Sequence, residues 1–479
     1  SPSAGTGEDG SNMGAFDVEC GDQSLVHSVP NDYSTIKSAI DESLDGDVVM
    51  VQNGTYLENI NFEGKGITVT SVTGPDSTII DGGGADIVVT FDSNEDENSV
   101  LTGFTITNGS ARQPWPYNRG GGINCQNSSP RMFDLIITGN TGEGGGGGVY
   151  IKNASPEMHY CDITDNVAGW NGGGIYIEGV NQGYSAYFHQ VDIRGNTGSA
   201  GGGVQVQNSN PTFEFVEVSG NTGNVGGGIH FEQSQAELAH VTIVNNTAQT
   251  GGGIQLKENY SDISSEVRME NSIVWGNEPQ QIYFHEDGEP NYMYIHYSDI
   301  EGGYDDIEFN DNGDLLESEG NIDADPLFCD VDDGNFGLAE NSPCLNIDWN
   351  SQDYMGAHGL GCGLLDSELP AILSIEDVPE DQGNWVYIEF SSSIHDADDE
   401  GPLGTYTIER QDGEEWVSLH SISAYGADSY ITEAHTLMDS TGEDNGMTSF
   451  RVVAAMEVGA LISNSAEGYS VDNIAPGVP

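Results

Sequence analysis

The sequence predicts an all-β chain in which a right-handed parallel β-helix (a solenoid) is followed by a β-sandwich. Three observations lead to this prediction. A glycine block recurs about every 25 residues, an asparagine-containing turn recurs with it, and the C-terminal part changes to short alternating segments. The 66 glycines among 479 residues also suit a turn-rich β protein better than a helical one.

The glycine block reads Gly-Gly-Gly, then isoleucine or valine, then any residue, then an apolar one. Its copies begin at Gly120, Gly146, Gly172, Gly201, Gly226 and Gly251. This period, with two or three short strands per repeat, is typical of one solenoid coil, whose apolar face is buried only when coils stack. The glycines are expected at corners where the backbone takes positive φ.

The asparagine turn follows a short apolar strand in each repeat. The asparagines are Asn140, Asn166, Asn196, Asn221 and Asn246, with a looser relative at Asn277. Stacked coils would align them in an internal ladder that satisfies turn amides from coil to coil. We therefore interpret these asparagines and glycines as scaffold.

The solenoid is predicted to begin with a short amphipathic helix over Tyr33–Ser43, which would cover the open edge of the first coil. Predicted strands follow at Asp47–Val51, Gly54–Glu58, Ile67–Thr70 and Ser77–Asp81.

Three segments are predicted along the chain. Residues 22–365 form the β-helix, and residues 366–479 form the β-sandwich with a C-terminal linker. Residues 1–21 are interpreted as the tail of a preceding β-helix domain, because the pattern Ser-Pro, Met-Gly-Ala, Cys occurs in residues 1–20 and again in residues 342–362.

The stretch Tyr33–Asp81 resembles the N-terminal cap and first coils of pectin-lyase-like β-helix proteins. The glycine repeats resemble those of bacterial surface β-helix proteins, including the polymorphic outer-membrane adhesins. Asp325–Phe328, Ser342–Cys344 and Met355–Ala357 resemble their closing segment, and the C-terminal part resembles a fibronectin-III-like module. The resemblance covers residues 22–362 and implies the fold but no single activity, since this superfamily includes lyases, hydrolases, esterases and adhesins.

The chain is strongly acidic, with 78 acidic and 11 basic residues and a formal net charge of −67. Nucleic acid is therefore not an expected partner, because its binding needs clustered lysines and arginines. Membrane insertion is not expected, since there is no run of about 18 apolar residues. Self-repulsion should create a need for salt or divalent cations; the alternative is that the charge only keeps a surface protein soluble. We expect a secreted or cell-surface protein of a bacterium in a saline environment.

A disulfide between Cys329 and Cys362 is predicted. Cys362 matches Cys20 in the repeated tail pattern, whereas Cys344 matches Ser3, so a bridge common to both tails leaves Cys344 out. A Cys344–Cys362 bridge would overturn this prediction. The remaining cysteines, Cys125 and Cys161, are predicted to point inward as buried thiols; the alternative is a bridge between them.

Two binding sites are predicted. The first is a carbohydrate-binding surface made of aromatic side chains that could stack on sugars; the alternative is that these rings only cover loops. Its residues are Trp115, Tyr117, Tyr150, Trp170 and Tyr176. The second is a structural calcium site of hard oxygen ligands around a glycine; the alternative is a solvated acidic turn. Its residues are Asp330, Asp332, Asp333 and Asn335.

The predicted function is that of a non-enzymatic extracellular surface protein. It would be an adhesin or a subunit of a surface layer or filament, with a surface glycan or other copies of the chain as partner. The alternative is a polysaccharide-active enzyme, a lyase or hydrolase, of the pectin-lyase-like superfamily. An aligned cluster of basic and acidic residues on one sheet would favour the enzyme, and none is found in the sequence, so no catalytic residue is predicted.

Overall fold

The computed structural model describes most of the chain. The described residues are 24–112, 119–180, 183–257, 264–286, 290–345, 354–363, 365, 369–379, 383–393, 396, 404–413, 415–427, 429–440, 446–456 and 459–472. Within these ranges, no helix is long and apolar enough to cross a membrane.

The described residues fall into two compact units. The first contains the described residues up to Asp323 together with Met355–Ala357, and the second contains the remainder. The first unit is a parallel β-solenoid and the second contains smaller sheets, which confirms the predicted fold class. In the described part of the chain, helices occur only at Ile36–Glu42 and, as a 3-10 turn, at Gly303–Asp306.

The largest solenoid sheet, sheet 1, has 18 strands. They are Val26–Val29, Val48–Val51, Gly54–Leu57, Thr68–Ser71, Thr78–Asp81, Val100–Thr107, Arg131–Thr138, Glu157–Thr164, Tyr187–Arg194, Thr212–Glu214, Glu217–Ser219, Gln235–Ala239, Thr242–Val244, Glu266–Glu270, Ile273–Trp275, Asn291–His296, Asp299–Ile300 and Gly313–Glu319.

Sheet 2 has ten strands and sheet 3 has three. The strands of sheet 2 are Ile60–Asn61, Val89–Phe91, Ile123–Gln126, Val149–Lys152, Ile175–Glu178, Val204–Gln207, Ile229–Glu232, Ile254–Lys257, Ile282–Phe284 and Ile307–Glu308. The strands of sheet 3 are Ser110–Ala111, Thr141–Gly142 and Val167–Ala168.

Inward side chains of successive coils stack in register to form the solenoid core. Ile123 lies beside Val149 in sheet 2, and both are fully buried. Each such side chain contributes about 1.5–3 kcal/mol when it leaves water. Cys125 and Cys161 occupy inward positions as predicted, and burial raises the pKa of the Cys161 thiol to about 12, so it is protonated at neutral pH.

The predicted asparagine ladder is confirmed. Asn196 is fully buried, and its Oδ1 accepts hydrogen bonds from the backbone N–H and the Nδ2 of Asn166, at 2.9 and 3.0 Å. Its own Nδ2 donates to Ile163 O at 2.8 Å and to Asn221 Oδ1 at 3.0 Å. Each side chain therefore joins two turns, and buried amides that strands cannot reach are satisfied.

The glycine corners are required by close backbone approach. Gly172 has φ +58°, and a Cβ built on it would lie 2.1 Å from Ile175 O. A Cβ on Gly121 would lie 2.4 Å from Thr141 O of the next coil. No side chain fits at these distances, so the glycine repeat sets the tight stacking of the coils.

A second corner bends sheet 1 and is built differently. One residue per coil takes the left-handed conformation between two strand segments, as Tyr160 (φ +56°) and Phe215 (φ +55°) do. The equivalent residues in other coils are Gly103, Asp134, Gln190, His240, Asn271, Tyr297 and Gly320. This corner turns non-glycine side chains outward.

The N-terminal helix is shorter than predicted. It spans Ile36–Glu42 because Thr35 caps it: the Thr35 hydroxyl accepts from Ser38 N–H at 3.1 Å, and the Ser38 hydroxyl accepts from Thr35 N–H at 3.3 Å. Ile36, Ala39 and Ile40 are its fully buried residues against the first coils.

The second unit contains three small sheets. Sheet 4 comprises Phe328–Asp330, Asn335–Ala339 and Leu360–Cys362, and sheet 5 comprises Ile372–Asp377, Trp385–Ser391 and Ser429–His435. Sheet 6 comprises Thr405–Asp412, Glu415–Ser423, Thr448–Met456, Gly459–Ile462 and Ala466–Gly468. Sheets 5 and 6 pack around one core that includes Ile388, Phe390, Ile408 and Phe450. A disulfide joins Cys329 and Cys362, the pair predicted from the sequence.

Candidate functional site

The outer face of sheet 1 carries a group of rings beside the left-handed corner. We call it the aromatic–histidine ladder. It comprises Phe133, His159, Tyr160, Tyr187, His189, Phe215 and His240. These residues come from five consecutive coils, because the strands that carry them pair in parallel register.

Ring contacts are continuous along the ladder. Phe133 stacks on His159 with centroids 5.1 Å apart, and the rings of His159 and His189 lie 5.8 Å apart. His189 meets Phe215 edge-on at 5.6 Å, and Phe215 stacks on His240 at 4.6 Å. The ladder therefore forms one connected strip parallel to the direction in which coils stack.

The strip is accessible to a ligand. Tyr160 is 59% exposed, and the other six rings are partly exposed. An exposed large ring next to imidazoles combines an apolar face with hydrogen-bonding groups, which is how proteins hold amphipathic ligands such as sugars. The strand segments beneath are anchored by buried inward residues such as Met158 and Phe188, so the rings sit on a rigid support.

A carboxylate organises the centre of the ladder. The Tyr187 hydroxyl donates a hydrogen bond to Glu214, and His189 Nδ1 lies 3.3 Å from Glu214 Oε2. The Tyr187 hydrogen bond holds the pKa of Glu214 below its usual value, so this carboxylate is charged at neutral pH. Desolvation and the nearby Glu214 raise the pKa of Tyr187 to about 12, so its phenol stays protonated.

A second carboxylate lies two coils before that of Glu214. Glu157 Oε2 is 3.7 Å from His159 Nε2. Burial lowers the pKa of His159; Glu157 raises it by less, and the neighbouring His189 and Arg131 lower it as well. His159 is therefore neutral at pH 7, and its ring can both donate and accept a hydrogen bond.

Two of the sequence-predicted sugar-binding residues are not accessible, which corrects that part of the prediction. Tyr150 and Tyr176 are each only 1% exposed. The Tyr150 hydroxyl donates to Glu178 Oε2 at 2.6 Å, and the Tyr176 hydroxyl donates to Gln207 Oε1 at 2.7 Å. Both side chains do point to the outer side of sheet 2, but the glycine corner packs against them. A Cβ built on Gly120 would lie 3.0 Å from the Tyr150 Cβ. A glycan has no ring face to stack on there.

The remaining predicted aromatic residues are separate from the ladder. Trp170 is 68% exposed and follows the sheet 3 strand Val167–Ala168, at a different corner of the coil. Trp115 and Tyr117 lie outside the described residues. Trp170 stays a predicted sugar contact.

The predicted calcium ligands form a hairpin turn in the second unit. Asp330 pairs with Asn335 across the hairpin, and Asp330 Oδ1 accepts from Asp333 N–H at 3.2 Å. Asn335 Oδ1 accepts from Gly337 N–H at 3.1 Å. The carboxylates of Asp330, Asp332 and Asp333 do not bring an oxygen each to within 4.8 Å of one another, so an ion would have to reorder this turn.

The second unit has an open groove of about 650 Å³ beside the edge strand Ser429–His435. Trp385 and His435 form one end of it, with ring centroids 3.5 Å apart. His420 crosses it by a 2.8 Å hydrogen bond between its Nε2 and Thr432 Oγ1. This groove is a second place where a sugar could contact aromatic and imidazole groups.

Sequence reasoning missed the ladder, although a signal for it exists. Rings or imidazoles recur at fixed offsets before the ladder asparagines. Phe133, His159 and His189 lie seven residues before Asn140, Asn166 and Asn196. Tyr160, Phe215 and His240 lie six residues before Asn166, Asn221 and Asn246. Two adjacent positions that both face outward are unexpected for a strand, and only the left-handed corner allows them.

Residues 121–296 match the family model of a right-handed β-helix region. No curated protein matches the chain. Among solved structures, carrot pectin methylesterase is similar with a TM-score of 0.35 and 13% identity, over 63% of this chain and 90% of that one. Pectin methylesterase PemA from Erwinia chrysanthemi gives 0.33 and 11%, over 60% and 92%. The PL6-family alginate lyase AlyGC gives 0.24 and 13%, over 70% and 56%.

The family match agrees with the β-helix predicted for this region. The named structures are pectin methylesterases and an alginate lyase. At these TM-scores the likeness decides nothing about the activity of this chain.

Proposed function

We propose that this chain is an extracellular polysaccharide-recognising protein that binds an extended glycan along the aromatic–histidine ladder. The observation that carries the proposal is the strip itself: seven accessible rings on five stacked coils, with the Glu214 carboxylate and neutral His159 among them. Stacked coils repeat about every 4.8 Å, so equivalent side chains recur at regular intervals along the strip, as contacts to a chain of similar units require.

The extracellular location is supported by the Cys329–Cys362 disulfide, since such bonds persist in oxidising compartments. Assembly of copies into a surface layer or filament, adhesion, a fibronectin-III-like identity of the sandwich, and a bacterial, saline source stay predictions.

A second candidate is turnover of the bound glycan. The geometry that favours it is His189, whose Nδ1 is held by Glu214 in the way a catalytic imidazole is oriented by a carboxylate. His189 would be the proton-transfer group, because its side chain is partly exposed and the Tyr187 phenol, with its raised pKa, is a poor base at neutral pH.

The test is a binding titration with a panel of hexasaccharides, followed by an assay for new reducing ends and for the ultraviolet absorbance of unsaturated products. Tyr160→Ala should weaken binding of the recognised hexasaccharide by about tenfold, the effect of losing a ring–sugar stack of about 1.4 kcal/mol. If turnover occurs, His189→Gln should abolish it while leaving binding measurable.

The matched control is Tyr297→Ala. Tyr297 has the same left-handed backbone conformation at the same corner and is 41% exposed, but it lies outside the ladder. Trp170→Ala tests whether the sugar contact predicted from the sequence binds the glycan. Trp385→Ala tests whether the groove of the second unit binds it. An unchanged affinity of Tyr160→Ala, or a loss that appears only with Trp170→Ala or Trp385→Ala, would refute binding at the ladder.

A further inference from the structure

The charges around the ladder restrict the kind of glycan that it can hold. Across the whole chain, 78 acidic and 11 basic residues give a formal net charge of −67. A chain with this charge repels polyanions at low ionic strength and lowers their local concentration at its surface. Salt screens this long-range repulsion, so the charged side chains close to the bound ligand decide which class of glycan binds.

Those local charges are also mostly negative. Glu214 lies within the ladder and is held ionised by the Tyr187 hydroxyl, and Glu157 lies beside His159. Asp134 is exposed at the corner position one coil before Tyr160.

Arg131 is the described arginine next to Glu157. It pairs in register with Glu157, and its Nε donates to Glu97 O at 2.7 Å. Arg194 ends the strand that carries Tyr187 and His189, and it binds Asp192 at 2.6 Å and Glu217 at 2.9 Å. Arg268, on the coil after that of His240, bonds Glu266 at 2.9 Å and lies over the Tyr294 ring. A glycan carboxylate or sulfate placed beside Glu157, Glu214 and Asp134 would therefore meet more negative than positive charge.

Resting on the proposed function, we infer that the ladder recognises a glycan without carboxylate or sulfate groups, one made of neutral hexose or N-acetylhexosamine units. The carboxylates of Glu157 and Glu214 accept hydrogen bonds from sugar hydroxyl or amide N–H groups. The rings supply stacking faces for the apolar side of each sugar. Uronate polymers meet the same rings but also meet uncompensated like charge.

The test compares three hexasaccharides on the full chain: cellohexaose, N-acetylchitohexaose and hexagalacturonate. At about 0.15 M salt, where the Debye length is about 8 Å, at least one neutral hexasaccharide should bind about tenfold or more tightly than hexagalacturonate. Glu214→Gln removes one charge from the ladder and keeps the shape and the acceptor, so it should narrow the neutral-to-uronate ratio by about threefold.

The control is Glu143→Gln, which removes the same charge from an exposed turn next to sheet 3 and should leave the ratio unchanged. If hexagalacturonate binds as tightly as the neutral sugars, the inferred class is wrong while binding at the ladder stands. If hexasaccharides bind but Glu214→Gln and Glu143→Gln change the ratio equally, local charge does not select the ligand and the inference fails. If no hexasaccharide binds, the proposed function fails and the inference with it.

Discussion

Replacing one asparagine in the middle of the internal ladder should destabilise the solenoid strongly. Asn196→Ala removes the acceptor of two donors of Asn166, the backbone N–H and the Nδ2, and both are fully buried. An orphaned buried donor costs about 1–3 kcal/mol, so two of them predict a loss of about 4 kcal/mol. Ile163 O also loses its 2.8 Å hydrogen bond, whereas Asn221 Oδ1 keeps a donor, the backbone N–H of residue 196.

The measurement is the urea midpoint of the full chain, together with hydrogen exchange of the amides in the neighbouring coils. Hydrogen exchange is needed because a solenoid opens locally, and its overall unfolding need not be two-state. Asn224→Ala is the matched control, since Asn224 is an exposed asparagine on the next coil with only long side-chain hydrogen bonds of 3.3 and 3.4 Å. It should change stability by less than about 0.5 kcal/mol.

Asn196→Asp separates the two functions of the side chain, because it keeps the acceptor for Asn166 and loses the donor to Ile163 O. We expect it to be destabilised as well, since a charged carboxylate would be buried there. The contradicting outcome is that Asn196→Ala loses less than about 1 kcal/mol of stability and leaves the protection of the Asn166 amide unchanged. Water or relaxation would then satisfy the orphaned donors of Asn166, and the asparagine ladder would not be needed for stability.

Three further predictions follow from single groups. Asp47 accepts from Leu44 N–H, His27 and Leu25 N–H, which lowers its pKa from 3.8 to about 2; its stabilisation of the first coil is therefore present above about pH 4 and lost as pH falls to about 2. In the wild type the urea midpoint should therefore fall between about pH 4 and pH 2, and in Asp47→Asn it should fall less over this range. The same dependence of the urea midpoint on pH in both proteins would contradict this prediction. Replacing both Cys329 and Cys362 by Ser opens a crosslink of sequence separation 33 and should cost the second unit about 4 kcal/mol, measured by guanidinium unfolding. Calcium at the turn Asp330–Asn335 predicts a melting temperature that falls on chelation in the wild type but not in Asp330→Asn, and an unchanged wild-type value would remove calcium from this turn.

The scaffold could be predicted from the sequence because it repeats. Each coil has to satisfy the same buried amides and the same tight corner, so Asn196 and Gly172 recur at one period and the repeat reveals the fold. The direction of a side chain was also predictable, since Cys125 does point inward and Tyr150 outward from its strand. The sequence could not predict what covers an outward side chain. The glycine corner packs over Tyr150 because of backbone positions that strand alternation does not encode.

The aromatic–histidine ladder was not predicted, for a related reason. Simple alternation assigns His159 outward and Tyr160 inward, yet both face out because Tyr160 takes a left-handed conformation between them. The strand pattern continues normally on both sides, with Met158 and Cys161 buried. A single inserted corner residue thus changes the face on which a side chain lies and shifts the alternation by one residue, so that the next buried position after Met158 is Cys161.

That corner also carries evidence about function. A left-handed conformation costs a bulky L-residue about 1–2 kcal/mol, and other coils avoid the cost with Gly103, Asn271 or Gly320 at the same position. Tyr160, 59% exposed, recovers little of it by burial. Stability alone therefore does not explain why a tyrosine occupies this place, whereas a contact of its ring with the proposed glycan would.

Replacement of Tyr160 by asparagine should change stability and glycan binding in opposite directions. Tyr160→Asn should raise the free energy of unfolding by about 0.5–1 kcal/mol, because asparagine tolerates this conformation, and should weaken glycan binding by about tenfold. Tyr297→Asn should give a similar gain in stability with unchanged affinity, since Tyr297 shares the strain but lies outside the ladder. If Tyr160→Asn is less stable than the wild type, the ring contributes packing that offsets its strain, and its presence at the corner no longer points to a ligand.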